Sequence, residues 1–353
     1  MANKIVPNAS DASPKGEYFF LDMGREQYGE CTVVRFGDTR ILIDGAHYGD
    51  IDGQDESASV PDQLAQIFGQ DGPFHFDLIV VTHCHADHIG CLPKLIETGA
   101  VTADWALLTH SGMGFGRSGS QDDDTHADLR NSRAAALAAL LREEDMTFLS
   151  DAALRQFADA AATVESRYLN FIELLNQSDT KVIEYIGEPL PTDLLTQLKS
   201  TGIQLLGPSQ NQLLFCSQQI GRENKDAADA VQDVLSDDPN LDDVALYRRL
   251  VQKFDDSADG GYGRGAAMNC QSITFSFGPK GERALLAGDM QFADPDVRGV
   301  DEEMELLRNA VRGAGPYALY KTTHHTSHNG TDVSVLKDLG SPPLIVHSGG
   351  WND

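Results

Sequence analysis

The stretch "DLIVVTHCHADHIGCLPKL", residues 77–95, sets three histidines and one aspartate within six positions, directly after a run of β-branched apolar residues. "FDLIVVT" reads as a buried strand and "LPKLIETG" as the helix that follows it. The ligand types stand at the turn between them, in the order His83-x-His85-x-Asp87-His88. A divalent cation needs imidazole nitrogens or carboxylate oxygens that converge from one side. His83 and His85, two apart on an extended turn, can chelate one ion. Asp87 and His88 begin the next turn and can face a second, roughly 3.5–4 Å from the first in two-metal hydrolytic sites. Gly90 lets the backbone pass close to them.

The chain of 353 residues, 41% of them hydrophobic, is long enough for one large domain with a sizeable core. Lys+Arg number 27 against 54 Asp+Glu, a net charge of −27. Such a surface repels polyanions over a Debye length and disfavours loose, charge-driven binding of nucleic acid. The five cysteines, Cys31, Cys84, Cys91, Cys216 and Cys270, are scattered, odd in number and without a CxxC pair. That argues against a disulfide framework and for a reducing compartment. The N-terminal "MANKIVPNASDASPKGE" has no apolar core segment, and no run of eighteen apolar residues occurs. The chain therefore reads as cytoplasmic, with no membrane partner.

Outward from the opening stretch, residues 17–45 read as short strands with tight turns, "ECTVVRFG" and "TRILIDG" being joined by the hairpin turn "FGDT". "PDQLAQIFGQ" reads as a helix and "ADWALLTH" as a further strand. Strands and helices interleaved in this way predict a layered α/β fold. Residues 128–176 are Ala- and Leu-rich with helical periodicity, and "KVIEYI" and "IQLL" are strand-like. The acidic run 221–261 predicts short helices with flexible joints, either a solvated surface or a lid. Strands return in "CQSITFSFG" and "RALLAGD", a hairpin about "PKGE". A helix is expected over 301–313, then "YALYKTTHHTSHNGTD", a strand running into a His-rich loop, and a last short strand, "PLIVHSGG". The β-rich segments before and after the helices suggest two half-sheets packed together. The chain stops six residues after "LIVH", as a truncated product would.

The HxHxDH pattern resembles that of the metallo-β-lactamase superfamily, and the resemblance runs over most of the chain. "RILIDG" resembles its first motif, which makes Asp44 the aspartate that orients the histidine loop. "ALLAGD" resembles the later Gly-Asp motif, with Asp289 bridging two metals, and "LYKTTHHTSHNG" the last histidine motif. Within the superfamily the chain is most similar to the soluble domain of the ComEC/Rec2 DNA-uptake proteins and their stand-alone relatives. The resemblance implies a four-layer αββα sandwich, here a single domain over 1–353 with a helical and acidic insertion at about 128–262. It implies two divalent ions, zinc or manganese, held by His83, His85, Asp87, His88, Asp289 and His324, with His325 on the substrate side and in a catalytic role beside Asp87 and Asp289. One departure stands out. The superfamily carries a further histidine about twenty residues before Gly-Asp, and here that place, in "AAMNCQSITF", holds Asn269. The His83/His85 ion is then the weaker one. His110 is the other histidine placed to substitute, or else to line the pocket or cap a strand. His47 is expected near the mouth, His126 exposed and His75 structural.

A two-ion site lowers the pKa of a coordinated water and stabilises an oxyanion, so a hydrolase is implied. The superfamily fold leaves the ester open. A phosphodiesterase or nuclease comes first, acting on nucleic acid or a nucleotide. The alternatives are an amide, lactone or thioester hydrolase, and a catalytically weak metal-binding module that works with a protein partner. Lys321 and Arg117, the latter in the Gly/Ser-rich "GMGFGRSGS", are the cations placed to meet a phosphate. About two hundred residues separate His88 from Asp289, and an insertion of that size can form a lid or a partner surface.

Overall fold

The computed structural model describes residues 3–5, 15–24, 29–53, 57–116, 151–238, 241–255 and 265–348. Among these, the strands form two sheets, one of seven and one of five. The first sheet begins as an antiparallel meander: β1 (Asn3–Ile5), β2 (Gly16–Phe20), β3 (Thr32–Phe36) and β4 (Thr39–Ile43). It continues in parallel through β5 (Phe74–Val81), β6 (Val101–Thr109) and β7 (Lys181–Tyr185). The second sheet has the order β12 (Leu344–Val346), β11 (Tyr317–Lys321), β10 (Arg283–Leu286), β9 (Thr274–Phe277), β8 (Gln204–Gly207). Its β10, β11 and β12 run parallel, while β9 pairs antiparallel with both β8 and β10.

Side chains on a strand alternate between faces, and here both faces are buried. Val34, Ile41, Leu78, Val80 and Leu107 of the first sheet share one core with Phe275, Phe277, Ala284, Leu286 and Leu319 of the second. The opposite faces, carrying Val33, Leu42, Ile79, Val81 and Leu108 on one sheet and Leu285 and Tyr320 on the other, pack under helices. Those helices include Val60–Phe68, Leu92–Glu97, Asp151–Gln177 and Asp301–Ala314. The result is the expected helix–sheet–sheet–helix layering. It explains why "FDLIVVT" shows no polar alternation: neither face meets water.

The span expected as a helical and acidic insertion contributes β7 to one sheet and β8 to the other, and its acidic segment also differs from expectation. The acidic segment does not break into short helices up to residue 237. A single helix runs Gln210–Asp237, followed by Asp243–Asp255. Leu213, Cys216, Ile220, Ala227, Val231 and Val234 recur at helical spacing and are buried, while Asp226, Asp229, Asp233 and Asp237 lie on the exposed side. One apolar stripe suffices to keep the helix continuous, and the acids are its solvated face. The preceding helix, Asp151–Gln177, is tied to the first sheet by the Tyr168 hydroxyl, which donates to Thr109 O at 2.6 Å. Residues 128–150, expected to be helical, lie outside the described residues. The strand β1 and the helices Thr192–Gln197 and Val333–Asp338 were not anticipated from the sequence.

Parallel strands present their carboxyl ends at one edge. Asp44 follows β4, His83 follows β5, His110 follows β6, Asp289 follows β10 and His324–His325 follow β11. Open α/β sheets place their ligands at such edges.

Candidate metal centre

Asp44 is the hub of the centre. It leaves β4 in the left-handed region, φ 60°, and its amide donates to Val80 O at 2.9 Å across the parallel pair. This turns the carboxylate inward, where it is fully buried. One oxygen accepts the Thr82 amide at 2.7 Å, and the other accepts the Thr82 hydroxyl at 2.7 Å and lies 2.8 Å from His88 Nδ1. A carboxylate at Nδ1 assigns the proton to that nitrogen and turns Nε2 toward the site as the donor atom. The histidine loop lies flat against Asp44–Gly45–Ala46: Gly45 N donates to His88 O at 2.6 Å, and Cys91 N to Gly45 O at 2.8 Å. A Cβ on Gly90 would sit 1.6 Å from Ala46 O, so the glycine is required by close approach.

Four donor atoms then converge. His88 Nε2 is 3.5 Å from Asp87 Oδ2 and 3.3 Å from Asp289 Oδ2, and His325 Nε2 is 3.2 and 3.1 Å from the same two oxygens. Ligands about 2.0–2.2 Å from a tetrahedral cation stand roughly 3.3–3.6 Å apart, so these separations fit one ion among the four atoms. Asp289 Oδ1 is buried and makes no hydrogen bond among the described residues, which is costly for a polar atom unless something else meets it. The residues present fit a divalent cation.

His83 and His85 form a second lobe. Both are buried, with His83 Nε2 3.0 Å from His85 Nδ1. Ser272, three residues beyond Asn269, links the lobes: its hydroxyl lies 3.2 Å from His83 Nδ1 and accepts the Asp289 amide at 3.0 Å. Gly288, φ 50°, carries the chain past this point, where a Cβ would stand 2.8 Å from Thr82 Oγ1. Asn269 itself is buried, in the turn of helix Ala266–Asn269.

The tandem histidines are placed opposite to the expected way. His325 faces Asp87 and Asp289, while His324 Nδ1 lies 2.5 Å from Asn329 Oδ1. The cause is the backbone. His324, His325 and Thr326 all lie in the left-handed region, with φ of 51°, 47° and 71°, so the place of His324 directly after the strand does not decide which ring faces the carboxylates. Non-glycine residues in that region cost about 1–3 kcal/mol each and persist only where the surroundings impose them.

Two residues reach the centre from outside the motifs. The side-chain donor atoms of Glu30, His88, Asp289 and His325 all lie within 4.8 Å of one another. Glu30 forms a buried ion pair with Lys321. Glu30 carries no pattern in the sequence beyond preceding a strand. Lys321, expected to meet a phosphate, is thus already engaged. His47 is half-buried and, after His88 and His325, helps to hold the Asp87 carboxyl low. His110 caps the short helix Ser111–Gly114, its Nδ1 accepting the Met113 amide at 3.3 Å. His75 is a surface residue, on Thr102 and Asp104. Arg117 and His126 lie outside the described residues.

The charges are interlocked. Burial acts to lower the His88 pKa, but Asp87, Asp289 and Asp44 overcome it and hold the ring well above the usual histidine range. His325 is pushed up to about 10, against burial, by Asp289 and Asp87. Burial acts to raise both of those carboxyls, and His88 and His325 hold them down nonetheless. His83 is lowered by burial and by the neighbouring His88 and His85. Without a metal, two protonated imidazoles therefore stand where a cation fits.

Residues 24–145 match the metallo-beta-lactamase superfamily. That span takes in Asp44 and His83 through His88, and stops well before Asp289 and the tandem histidines. No curated protein matches the chain. Among solved structures, one similar chain is AidC, a dizinc quorum-quenching lactonase in complex with a product. It shows 10% identity and a TM-score of 0.35, over 88% of this chain and 86% of that one. Another is a flavo di-iron protein mutant from Thermotoga maritima, with 14% identity and a TM-score of 0.23, over 100% and 96%. Among the described residues no helix is long and apolar enough to cross a membrane.

Proposed function

We propose that the chain is a metal-dependent hydrolase. One divalent ion would be held by Asp87, His88, Asp289 and His325, with a second, weaker lobe at His83 and His85. The observation that supports this most directly is the set of four donor separations between 3.1 and 3.5 Å. When bound, such an ion acts as a Lewis acid and lowers the pKa of a coordinated water toward about 7. The protein's own residues do the rest. Asp44 and Thr82 fix the orientation of His88, and Ser272 spans His83 and the Asp289 amide. Asp87, with a side-chain exposure of 13%, is the most open of the four donors. It is placed to orient an attacking water.

For the substrate, a phosphodiester is our first reading, because two adjacent lobes can face both the attacking and the leaving oxygen of an in-line displacement. One observation favours a second reading, a carbonyl ester, amide or thioester. Lys321, the cation the sequence offers to a phosphate, is buried against Glu30. A neutral carbonyl needs no such cation, and the net charge of −27 does not repel it. The test is turnover of bis-p-nitrophenyl phosphate against a panel of p-nitrophenyl esters, lactones and thioesters, with manganese- and zinc-loaded protein. Activity on the carbonyl panel alone reverses the order. No turnover of either class by fully loaded protein overturns the hydrolase reading.

A further inference from the structure

Glu30 lies one residue before Cys31, in the turn that enters β3, far in sequence from every other donor at the centre. The fold nevertheless fixes it there from four directions. Its amide donates to Asp87 O at 3.2 Å, and its carbonyl accepts the Ala46 amide at 2.8 Å. These two bonds tie it to the histidine loop and to the Asp44 turn at once. Its Oε1 accepts the Ser348 hydroxyl at 3.1 Å and pairs with Lys321. The residue is 6% exposed. Burying a carboxylate is costly unless its oxygens are met, and a backbone held this firmly leaves the side chain little freedom to find water.

We propose that Glu30 is an additional carboxylate ligand of the ion held by His88, Asp289 and His325. The inference rests on the reading of the centre as a metal site. Lys321 and Ser348 both engage Oε1, which leaves Oε2 to turn to the ion. The donor atoms of Glu30, His88, Asp289 and His325 fall within 4.8 Å of one another, a span that one coordination sphere can contain. Asp289 Oδ1 is buried and lacks a hydrogen bond among the described residues, so the cluster is more than a set of acids gathered at a surface. Lys321 and Ser348 are then positioning residues. Burial pushes the Lys321 amine down in pKa. With Glu30 the ion gains a carboxylate beside Asp289 against the two imidazoles. Each added carboxylate favours a harder ion such as manganese.

The experiment is titration of metal-free full-length protein with Mn²⁺, and with Co²⁺ as a spectroscopic probe, in wild type, Glu30→Gln, Lys321→Met and the double variant. Glu30→Gln is expected to weaken Mn²⁺ binding at least tenfold. At saturation it is expected to change the Co²⁺ visible absorption, because one ligand is lost. Lys321→Met, which removes the group that holds Glu30 Oε1, is expected to weaken Mn²⁺ binding, but by less than Glu30→Gln does. If Glu30 serves only as the counter-ion of Lys321, the double variant binds metal like wild type with an unchanged Co²⁺ spectrum, and that result overturns the proposal. So does a Glu30→Gln protein that matches wild type in both readouts. Should Glu30→Gln fail to fold, Glu30→Asp retains the charge but is one methylene shorter. It is expected to lose affinity and alter the spectrum, and wild-type behaviour from it overturns the proposal. Wild-type protein that takes up no metal overturns the metal-site reading together with this one.

Discussion

His88 Nδ1 lies 2.8 Å from Asp44 Oδ2, at the bottom of the site where both side chains are fully buried. The pair couples the end of β4 to the histidine loop after β5, so the aspartate serves both the fold and the orientation of a donor atom. Asp44→Ala leaves the Thr82 amide, the Thr82 hydroxyl and His88 Nδ1 without their acceptor. Each orphaned buried donor costs about 1–3 kcal/mol, and breaking a buried pair costs about 3–5 kcal/mol. The metal-free variant is expected to lose about 3 kcal/mol or more in urea unfolding, and to bind metal roughly 10–100-fold more weakly. Stability within 1 kcal/mol of wild type would remove Asp44 from this role.

The tandem histidines separate by consequence. His325→Ala removes a donor that lies 3.1 and 3.2 Å from two carboxylate oxygens, and metal affinity is expected to fall by more than about 100-fold. His324→Ala removes a partner of Asn329 and is expected to disturb the loop with a far smaller effect on affinity. Isothermal titration of both variants decides between them, and equal losses would mean that the side chains are not divided in this way.

Much of the centre was legible because its ligand types are local. Asp44 ends an apolar strand, and His83 through His88 crowd into one turn, so chemistry and position coincide in a short stretch. The choice between His324 and His325 was not legible. It depends on three successive left-handed residues, and tertiary packing imposes that conformation on side chains that would otherwise avoid it. Glu30 was missed for another reason: a single glutamate before a strand has no pattern, and only the β3–β4 hairpin and the end of β11 bring it to His88. The long helix Gln210–Asp237 was misread because its acidic residues dominate the composition. The apolar stripe from Leu213 to Val234 is only one residue wide at most turns.

Metal uptake is expected to depend steeply on pH. In metal-free protein His325 is raised to about 10, and His88 well above the usual histidine value, by the carboxylates around them. A cation must displace those protons, so apparent affinity rises with pH by about tenfold per unit for each proton released. The sign for folding is opposite. A raised histidine stabilises the metal-free fold below about 6.5, and the contribution of His325 is lost as pH rises toward about 10. Titrations at pH 6, 7 and 8 in buffers of different ionisation enthalpy measure both affinity and proton release. An affinity that is flat over that range would contradict the charged imidazoles.

Gly90 offers a test of the loop's seating. A Cβ there would stand 1.6 Å from Ala46 O and 2.7 Å from the His47 carbonyl carbon, both backbone atoms that cannot swing aside. Gly90→Ala must therefore push the histidine loop off the Asp44 turn. Overpacking of this kind costs about 1–3 kcal/mol and sometimes more. The variant is expected to lose about 3 kcal/mol in chemical denaturation and to bind metal more weakly in proportion to the displacement. A loss below 1 kcal/mol would show that the two turns can separate cheaply.

Glu223 gives a pH signature that belongs to helix Gln210–Asp237 rather than to the centre. It lies half-buried on Gln210–Asp237, where Gln219 Nε2 donates to its Oε1 at 2.8 Å. Burial raises its carboxyl to about 7, with Asp296 adding to the rise and the Gln219 bond opposing it. A carboxyl whose folded value is raised favours the fold while protonated. The contribution is fully present below the unfolded value of about 4.5 and is lost as pH rises through about 7. A shift of this size corresponds to at most about 3 kcal/mol, and partial exposure reduces it to about 1–2 kcal/mol. Glu223→Gln keeps the acceptor for Gln219 and stays neutral at every pH. The variant and wild type are expected to unfold at the same urea concentration at pH 4.5, with the variant more stable by about 1–2 kcal/mol at pH 8. If the difference between them is the same at both pH values, the helix does not bury a titrating carboxylate, and its acidic residues are solvated throughout.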